Sequence, residues 1–252
     1  MRTVLNGLLA ALMIGAGAER GDAQEPPAKR LSSIVGVAVE EYGKAVNEKG
    51  RLISAVEFDE ATGFLRDAQA VARRLTSSDA ALTRALLDSL VALAERRAAP
   101  AELRTLHARF NTSLGAAGAL DRPTRAIDPA EGRALFIQHC AGCHGAAGNA
   151  DGALSAAQNP RPAKLSDAVL LRDATPALLY RIVAVGVQGT AMAAWSGVLD
   201  PDQRWAVVSY LNTLRASDAE REQGRKVLAT TPAREWRSFD WQAERSDAQL
   251  SE

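Results

Sequence analysis

The sequence contains little sulfur, few aromatic residues and no excess of either charge. Only two of its 252 residues are cysteine, so a structural zinc site with four cysteine ligands is excluded. Lysine and arginine total 30, as do aspartate and glutamate, and this balance argues against a nucleic-acid-binding protein, which normally carries a basic excess. Aromatic residues make up 5% of the chain while alanine is abundant, which favours helices over sheets. The composition therefore indicates a helical protein that does not bind nucleic acid.

Long apolar runs are also absent, except at the N-terminus. The exception covers residues 4–18, follows a single arginine, and leads into small residues that fit a cleavage site at 16–18 or at 21–23. This pattern predicts a secretory signal peptide over residues 1–23, export to the periplasm, and a mature chain without a membrane span. An uncleaved membrane anchor is the alternative, although the run is shorter than the ~20 apolar residues that span a bilayer comfortably.

Four segments between residues 28 and 115 repeat apolar residues at the three- and four-residue spacing of an amphipathic helix. The stripes run through Leu31–Tyr42, Phe58–Leu75, Leu82–Leu93 and Leu103–Leu114. Each stripe needs a partner to cover it, so we predict a small antiparallel helical bundle over residues 28–115. Residues 116–127 are rich in alanine and glycine and lack a stripe, and they are the predicted linker.

Helix start signals follow the linker. Asp128 and Asp200 each precede a proline and are followed by Glu131 and Gln203 at the third helical position, and Thr175 before a proline is a weaker version. These signals predict helices at about 129–142, 176–186 and 201–215, with mostly loop over 145–170. They place a second helical domain at residues 128–216.

The remaining residues, 217–252, form a charged tail that contains three aromatic residues, Trp236, Phe239 and Trp241. Aromatic side chains are unexpected in a segment that is otherwise solvated. We expect them to pack against one of the two domains, and a partner-binding motif is the alternative.

Both cysteines lie in the run FIQHCAGCHGAAG, residues 136–148, and His144 directly follows the second. A dithiol redox centre at Cys140 and Cys143 would require a βαβ setting, and no strand pattern occurs nearby. A disulfide between them would close a very small loop and leave the histidine unexplained. The pattern C-x-x-C-H is the attachment signal for c-type haem, in which two thiols become thioethers and the imidazole is held under the iron. The motif therefore predicts one covalently bound haem c.

A histidine on one face of a haem leaves the sixth coordination position of the iron open. Of the three methionines, Met1 and Met13 lie in the predicted signal peptide, and Met192 lies in the run GVQGTAMAAW. A lone methionine commonly fills a core. This one follows a series of small residues on a loop between two helices, and small residues let the backbone approach a porphyrin closely. We therefore predict Met192 as the second axial ligand.

The other two histidines, His107 and His139, are weaker candidates for iron ligands. His139 adjoins the first cysteine and cannot reach the far face of a haem that is tethered beside it. His107 lies in the fourth helix of the bundle, and it would ligate the iron only if that helix covered the haem. A surface or hydrogen-bonded histidine is the preferred interpretation of His107.

Residues 128 to about 215 resemble a class I monohaem cytochrome c domain. The resemblance rests on the helix with Gly132 and Phe136, the motif CAGCH, the loop NPRPAKLSD, the motif GTAM, and a last helix with Trp205 and Tyr210. It implies that this domain is all-α, so the predicted fold of the chain is all-α, with the helical bundle followed by a class I cytochrome c domain. It further implies that the first and last helices of that domain cross at the glycine. It also implies that Pro160 or Pro162 supplies a carbonyl to the haem-binding histidine.

A haem ligated by His144 and Met192 has no open coordination position, which favours one-electron exchange with partner proteins over substrate turnover. We therefore expect an electron carrier and not an enzyme. The alternative is a haem-based gas or redox sensor in which the methionine dissociates from the iron.

Residues 31–75, which contain the run EEYGKAVNEKGRLISAVEFDEA, are similar to the periplasmic region of proteins that join a cytochrome c domain to a high-affinity iron permease. The resemblance implies a role in iron uptake with a membrane iron permease as partner. Five carboxylates of this segment could then bind iron: Glu40, Glu41, Glu57, Asp59 and Glu60. Alternatively, they complement a helix dipole or simply face water.

Overall fold

The computed structural model describes residues 25–230 and 238–250, so the predicted signal peptide and Trp236 lie outside the described residues. The helices are α1 (Pro27–Ala45), α2 (Ala55–Ala72), α3 (Ala80–Glu95), α4 (Pro100–Leu114), α5 (Pro129–His139), α6 (Ala141–His144), α7 (Pro176–Val185), α8 (Pro201–Thr213), α9 (Asp218–Thr230), α10 (Phe239–Ala243) and α11 (Asp247–Leu250). Two 3₁₀ turns occur at Gly115–Gly118 and Ser155–Ala157. Over these ranges the remaining regular structure is one isolated bridge between Val46 and Leu52, and the predicted all-α fold is confirmed.

Helices α1 to α4 form the N-terminal bundle, with α1 packed against both α2 and α4. Its core is made mostly of residues from the predicted stripes, including Leu31, Leu65, Leu90 and Phe110, each of which is almost fully buried. Leu82, predicted to begin the third stripe, is instead 53% exposed, so that prediction is wrong for this residue. Tyr42 is also buried, and its hydroxyl donates a hydrogen bond of 2.6 Å to the carbonyl oxygen of Ala98, in the turn before α4. No helix within the described residues is both long enough and apolar enough to cross a membrane.

The predicted helix starts of the second domain are formed by side-chain caps. Asp128, Thr175 and Asp200 each accept a hydrogen bond from a backbone N–H of the first turn, and Asp200 forms a complete capping box with Gln203. Helix α5, the first helix of the second domain, ends at His139, earlier than the predicted end near residue 142. It ends there because the backbone leaves the regular helical path at the first cysteine, after which the short helix α6 begins.

Helices α5 and α8 cross at Gly132. A β-carbon at this position would lie 1.9 Å from the carbonyl oxygen of Ala206, so only glycine permits the approach. Phe136 and Tyr210 pack beside the crossing, with ring centroids 5.4 Å apart. These three residues therefore occupy the roles that the resemblance to cytochrome c domains implied for them.

The bundle and the second domain pack directly against each other. Helix α1 lies against α7, where Leu178 and Ile182 join the apolar core of the bundle. Arg204 of α8 is only 3% exposed, and it pairs with Asp121 of the linker at 3.3 Å and with Glu25 at 3.6 Å. The linker is thus tied into the interface between the domains.

The tail packs on the second domain through its aromatic residues. Phe239 contacts Trp205 of α8 edge-on, with ring centroids 4.8 Å apart, which confirms the expected packing for this residue. The ring centroid of Trp241 lies 4.3 Å from the guanidinium carbon of Arg245, which also belongs to the tail.

Candidate haem site

A cavity of about 270 Å³ lies between helix α6 and the loop that follows α7. All four residues predicted to hold the haem line it: Cys140, Cys143, His144 and Met192. The rest of the wall comes from the loops over 158–163 and 187–195, from His139, and from one residue of the bundle, Glu60. The fold therefore brings the two separate parts of the predicted site to one cavity.

The imidazole of His144 is held by the loop on its own side of the cavity. Its Nδ1 lies 3.0 Å from the carbonyl oxygen of Ala163, so a proton on Nδ1 is donated there and Nε2 is the nitrogen left for a metal. Burial lowers the pKa of His144, which favours the neutral ring that binds metals.

The identity of this carbonyl corrects an expectation. The resemblance implied Pro160 or Pro162 as the source, and both prolines do line the cavity. The acceptor is instead Ala163, the residue after the second proline. Residue spacing alone does not determine which carbonyl of an irregular loop lies beside a given side chain, because that depends on how the whole loop folds.

The two cysteines are free thiols and partly buried. Burial, assisted by the neighbouring Cys143, raises the pKa of Cys140 to about 11. Dithiol redox centres depend on a cysteine whose pKa is lowered, because the thiolate is the reactive form. The raised pKa of Cys140 is therefore poorly suited to dithiol exchange. The position of both cysteines on the wall of one cavity is compatible with attachment to a porphyrin.

The loop that carries Met192 is closed on itself by hydrogen bonds. The N–H of Val187 donates to the carbonyl of Met192 at 3.0 Å, and the N–H of Met192 donates to the hydroxyl of Thr190 at 3.1 Å. Gly186, which begins the loop, has a φ of +77°, and a β-carbon there would lie 2.4 Å from the carbonyl oxygen of Met192. Two thiols, an oriented imidazole and a thioether on a hydrogen-bonded loop are together donors suited to haem c.

The two other histidines occupy different environments. His139 lines the cavity and packs against Trp195, with ring centroids 5.1 Å apart. His107 is not among the residues that line the cavity; its Nε2 lies 3.0 Å from Nδ2 of Asn111, and its ring stacks on Phe110. Burial and the nearby positive charge of Arg181 lower the pKa of His107 to about 4. These surroundings support the interpretation of His107 as a hydrogen-bonded structural histidine.

Three of the five candidate carboxylates of the bundle come together. Glu41, Glu57 and Glu60 each offer an oxygen within 4.8 Å of the others, whereas Glu40 and Asp59 do not belong to this group. Burial raises the pKa of Glu41 to about 7, although Lys44 lies 3.0 Å from the same carboxylate. Burial also raises the pKa of Glu60, which lines the haem cavity as well.

Sequence reasoning did not identify Glu60 as a residue of the haem cavity. It belongs to the other domain, and no local motif connects it to the haem-binding segment. Its place is set by the packing of α2 beside the loop that follows α7.

Comparison with known proteins agrees with both resemblances. Residues 127–211 match the family model described as cytochrome c oxidase, cbb3-type, subunit III, and residues 18–118 match the iron permease-associated 4-helix bundle domain. The Cbb3-type cytochrome c oxidase subunit FixP of Bradyrhizobium diazoefficiens is 32% identical over 93 residues, which is 36% of this chain and 30% of that protein. The aligned part thus spans less than a third of that relative. No solved structure matches the chain with significant similarity.

These matches and the residues that line the cavity indicate the same domain organisation. It combines an iron permease-associated 4-helix bundle domain, matched over residues 18–118, with a cytochrome c domain, matched over residues 127–211.

Proposed function

We propose that this chain is a periplasmic c-type cytochrome that carries single electrons through one covalently bound haem, and that it works beside a membrane iron permease in iron uptake. The observation that carries the proposal is the cavity lined together by Cys140, Cys143, His144 and Met192. The association with iron is supported by the bundle, whose family model is named for iron permeases.

The residues of the cavity account for the carrier role. When bound, haem supplies exchange of one electron at a time. Cys140 and Cys143 would hold it as thioethers, and the hydrogen bond to Ala163 holds the imidazole of His144 in one orientation for binding iron. The thioether of Met192, as a second iron ligand, would favour the ferrous state and so raise the reduction potential. With both ligands supplied by the protein, the site would favour electron exchange over reaction with oxygen or peroxide.

Ferrous iron is the proposed source of electrons. Oxidation of one Fe²⁺ to Fe³⁺ releases one electron, which is the amount that reduction of one ferric haem consumes. We place this oxidation at the permease or at the bundle, where Glu41, Glu57 and Glu60 gather next to the haem cavity. Redox partner proteins would then take the electron from the exported cytochrome.

The spectrum of the oxidised holoprotein tests the axial ligands. We expect a low-spin haem with the weak long-wavelength band that arises from sulfur coordination, and a ferrous form that does not bind carbon monoxide at neutral pH. Met192→Leu keeps the size of the side chain but removes the sulfur, so it should abolish the band and allow carbon monoxide to bind. Met192→His should lose the band but remain six-coordinate.

A wild-type protein that is high-spin, or that binds carbon monoxide readily, would contradict the carrier role. Such a result would favour the alternative of a sensor with a displaceable methionine.

An iron titration under anaerobic conditions tests the bundle. We expect Glu41→Gln combined with Glu60→Gln to weaken Fe²⁺ binding by about tenfold or more, equivalent to about 1.4 kcal/mol, because hard oxygen ligands would be lost. Carboxylates bind metal when deprotonated, so wild-type affinity should increase as the pH rises through about 7, the pKa of Glu41. Asp59→Asn is the matched control, because Asp59 is exposed on the same helix and lies outside the cluster. Equal Fe²⁺ affinity in all three proteins would exclude an iron site at the cluster.

A further inference from the structure

Helix α2 of the bundle borders the loop that carries Met192. Glu60 lines the haem cavity together with that methionine. Gly63 lies one turn farther along α2, and a β-carbon there would be 2.8 Å from Oε1 of Gln188 on the loop. Val187, which directly precedes Gln188 in the loop, packs against the apolar core of the bundle. One side of α2 is therefore in contact with the segment between α7 and Met192.

Hydrogen bonds connect this contact to Met192. Val187 donates its N–H to the carbonyl of Met192 at 3.0 Å and accepts a bond of 2.8 Å from the hydroxyl of Thr190. The same hydroxyl accepts the N–H of Met192. Because these bonds close the loop around Val187, a displacement of Val187 also displaces the backbone of Met192.

The helix that leads into the loop is held by the bundle as well. Helix α7 packs against α1 at Gly36, where a β-carbon would lie 3.0 Å from Cδ of Arg181. The side chain of Arg181 is partly buried between the two helices, and burial lowers its pKa. The start of the loop is thus fixed by α1 and its middle by α2.

We propose that helix α2 braces the Met192 loop against the haem, with Gly63 and Val187 as positioning residues. The inference rests on the proposed function in one respect, the assignment of Met192 as axial ligand. A neutral thioether on a loop stays on the iron only when the loop is preorganised, and outer contacts of this kind orient metal ligands without touching the metal. The bundle then contributes to methionine ligation although it supplies no iron ligand.

The test uses the full-length holoprotein and the variant Gly63→Leu. An alanine at position 63 could be accommodated by rotation of the exposed Gln188 side chain, so the larger leucine is needed to push on the loop. We expect Gly63→Leu to lose most of the sulfur-to-iron band and to bind carbon monoxide in the ferrous form at least tenfold more tightly than wild type. Removal of the obstructing side chain by Gln188→Ala in the Gly63→Leu background should restore the band.

Gly43→Leu is the matched control, because Gly43 lies on α1 of the same bundle and no atom lies within 4 Å of a β-carbon built there. It should keep the band and the wild-type resistance to carbon monoxide. Val187→Ala removes packing against the core of the bundle without adding bulk, and it is the variant to test if Gly63→Leu does not fold. We expect it to increase carbon monoxide affinity several-fold.

The two proposals fail in different ways. A wild-type protein without the sulfur-to-iron band would overturn the assignment of Met192 and with it the proposed function. A wild-type protein with the band, together with folded, haem-loaded Gly63→Leu and Val187→Ala variants that keep it and still exclude carbon monoxide, would overturn the brace alone.

Discussion

A chain in which Cys140 and Cys143 are both replaced by serine is expected to carry no covalently bound haem. A serine hydroxyl forms no thioether, and the two cysteines are the only ones in the sequence. No other thiol can therefore replace them. Both line the same cavity as the proposed axial ligands. Mass spectrometry of the denatured protein, produced in a host competent for haem c maturation, should show the mass of the macrocycle on wild type and its complete loss from the double variant.

His139→Gln provides the matched control for this experiment. His139 precedes Cys140 and lines the same cavity, but it has no assigned role in attachment or ligation. The variant should keep its covalent haem and its low-spin spectrum. Retention of the macrocycle by the double serine variant after denaturation would contradict the attachment proposed here, as would loss of the macrocycle from His139→Gln.

Replacing Gly132 with alanine should destabilise the cytochrome domain severely. The added β-carbon would lie 1.9 Å from the carbonyl oxygen and 2.5 Å from the carbonyl carbon of Ala206, so helices α5 and α8 would have to separate. Overpacking of a well-packed site costs about 1–3 kcal/mol, and we expect the upper end or more because the obstacle is backbone. For a chain of this size, about 3 kcal/mol corresponds to a decrease in Tm of roughly 6–12 °C.

Thermal unfolding followed by circular dichroism measures this effect. Gly197→Ala is the control, since a β-carbon at Gly197 meets no atom within 4 Å, and its stability should stay within about 0.5 kcal/mol of wild type. A side-chain substitution at Ala206 should not rescue Gly132→Ala, because the obstructing atoms belong to the peptide group. A Gly132→Ala protein as stable as Gly197→Ala would show that the helices do not cross as closely as described.

The helix crossing shows which contacts of the second domain can be predicted from the sequence. Gly132, Phe136 and Tyr210 could be assigned to the crossing because the family pattern fixes their spacing on two helices. In contrast, no local pattern predicts the burial of Arg204, which lies on the same helix as Tyr210 and is buried against the linker. Its ion-pair partners, Asp121 and Glu25, are distant from it in the chain, so the sequence around Arg204 does not reveal them.

For the carboxylates of the bundle, too, the sequence identifies the candidates and the tertiary structure shows which of them come together. The sequence placed five of them on or near two helices, but it could not separate metal binding from solvent exposure. The structure selects Glu41, Glu57 and Glu60, because the facing sides of α1 and α2 bring their oxygens within 4.8 Å. Asp59, between two of them in the chain, lies outside the cluster because neighbouring residues of a helix point in different directions.

By itself, the sequence determined the features that depend on covalent order and helical repeat. The attachment motif is five consecutive residues, the helix starts are encoded by Asp128, Thr175 and Asp200, and the bundle follows from apolar residues repeated with the period of a helix. The tertiary structure alone decided that the carbonyl of Ala163 lies beside the imidazole of His144, that Glu60 lines the candidate haem cavity, and that α2 lies against the Met192 loop. These are contacts between residues distant in the chain, and their geometry is fixed by the joint packing of whole helices and loops and not by any local preference.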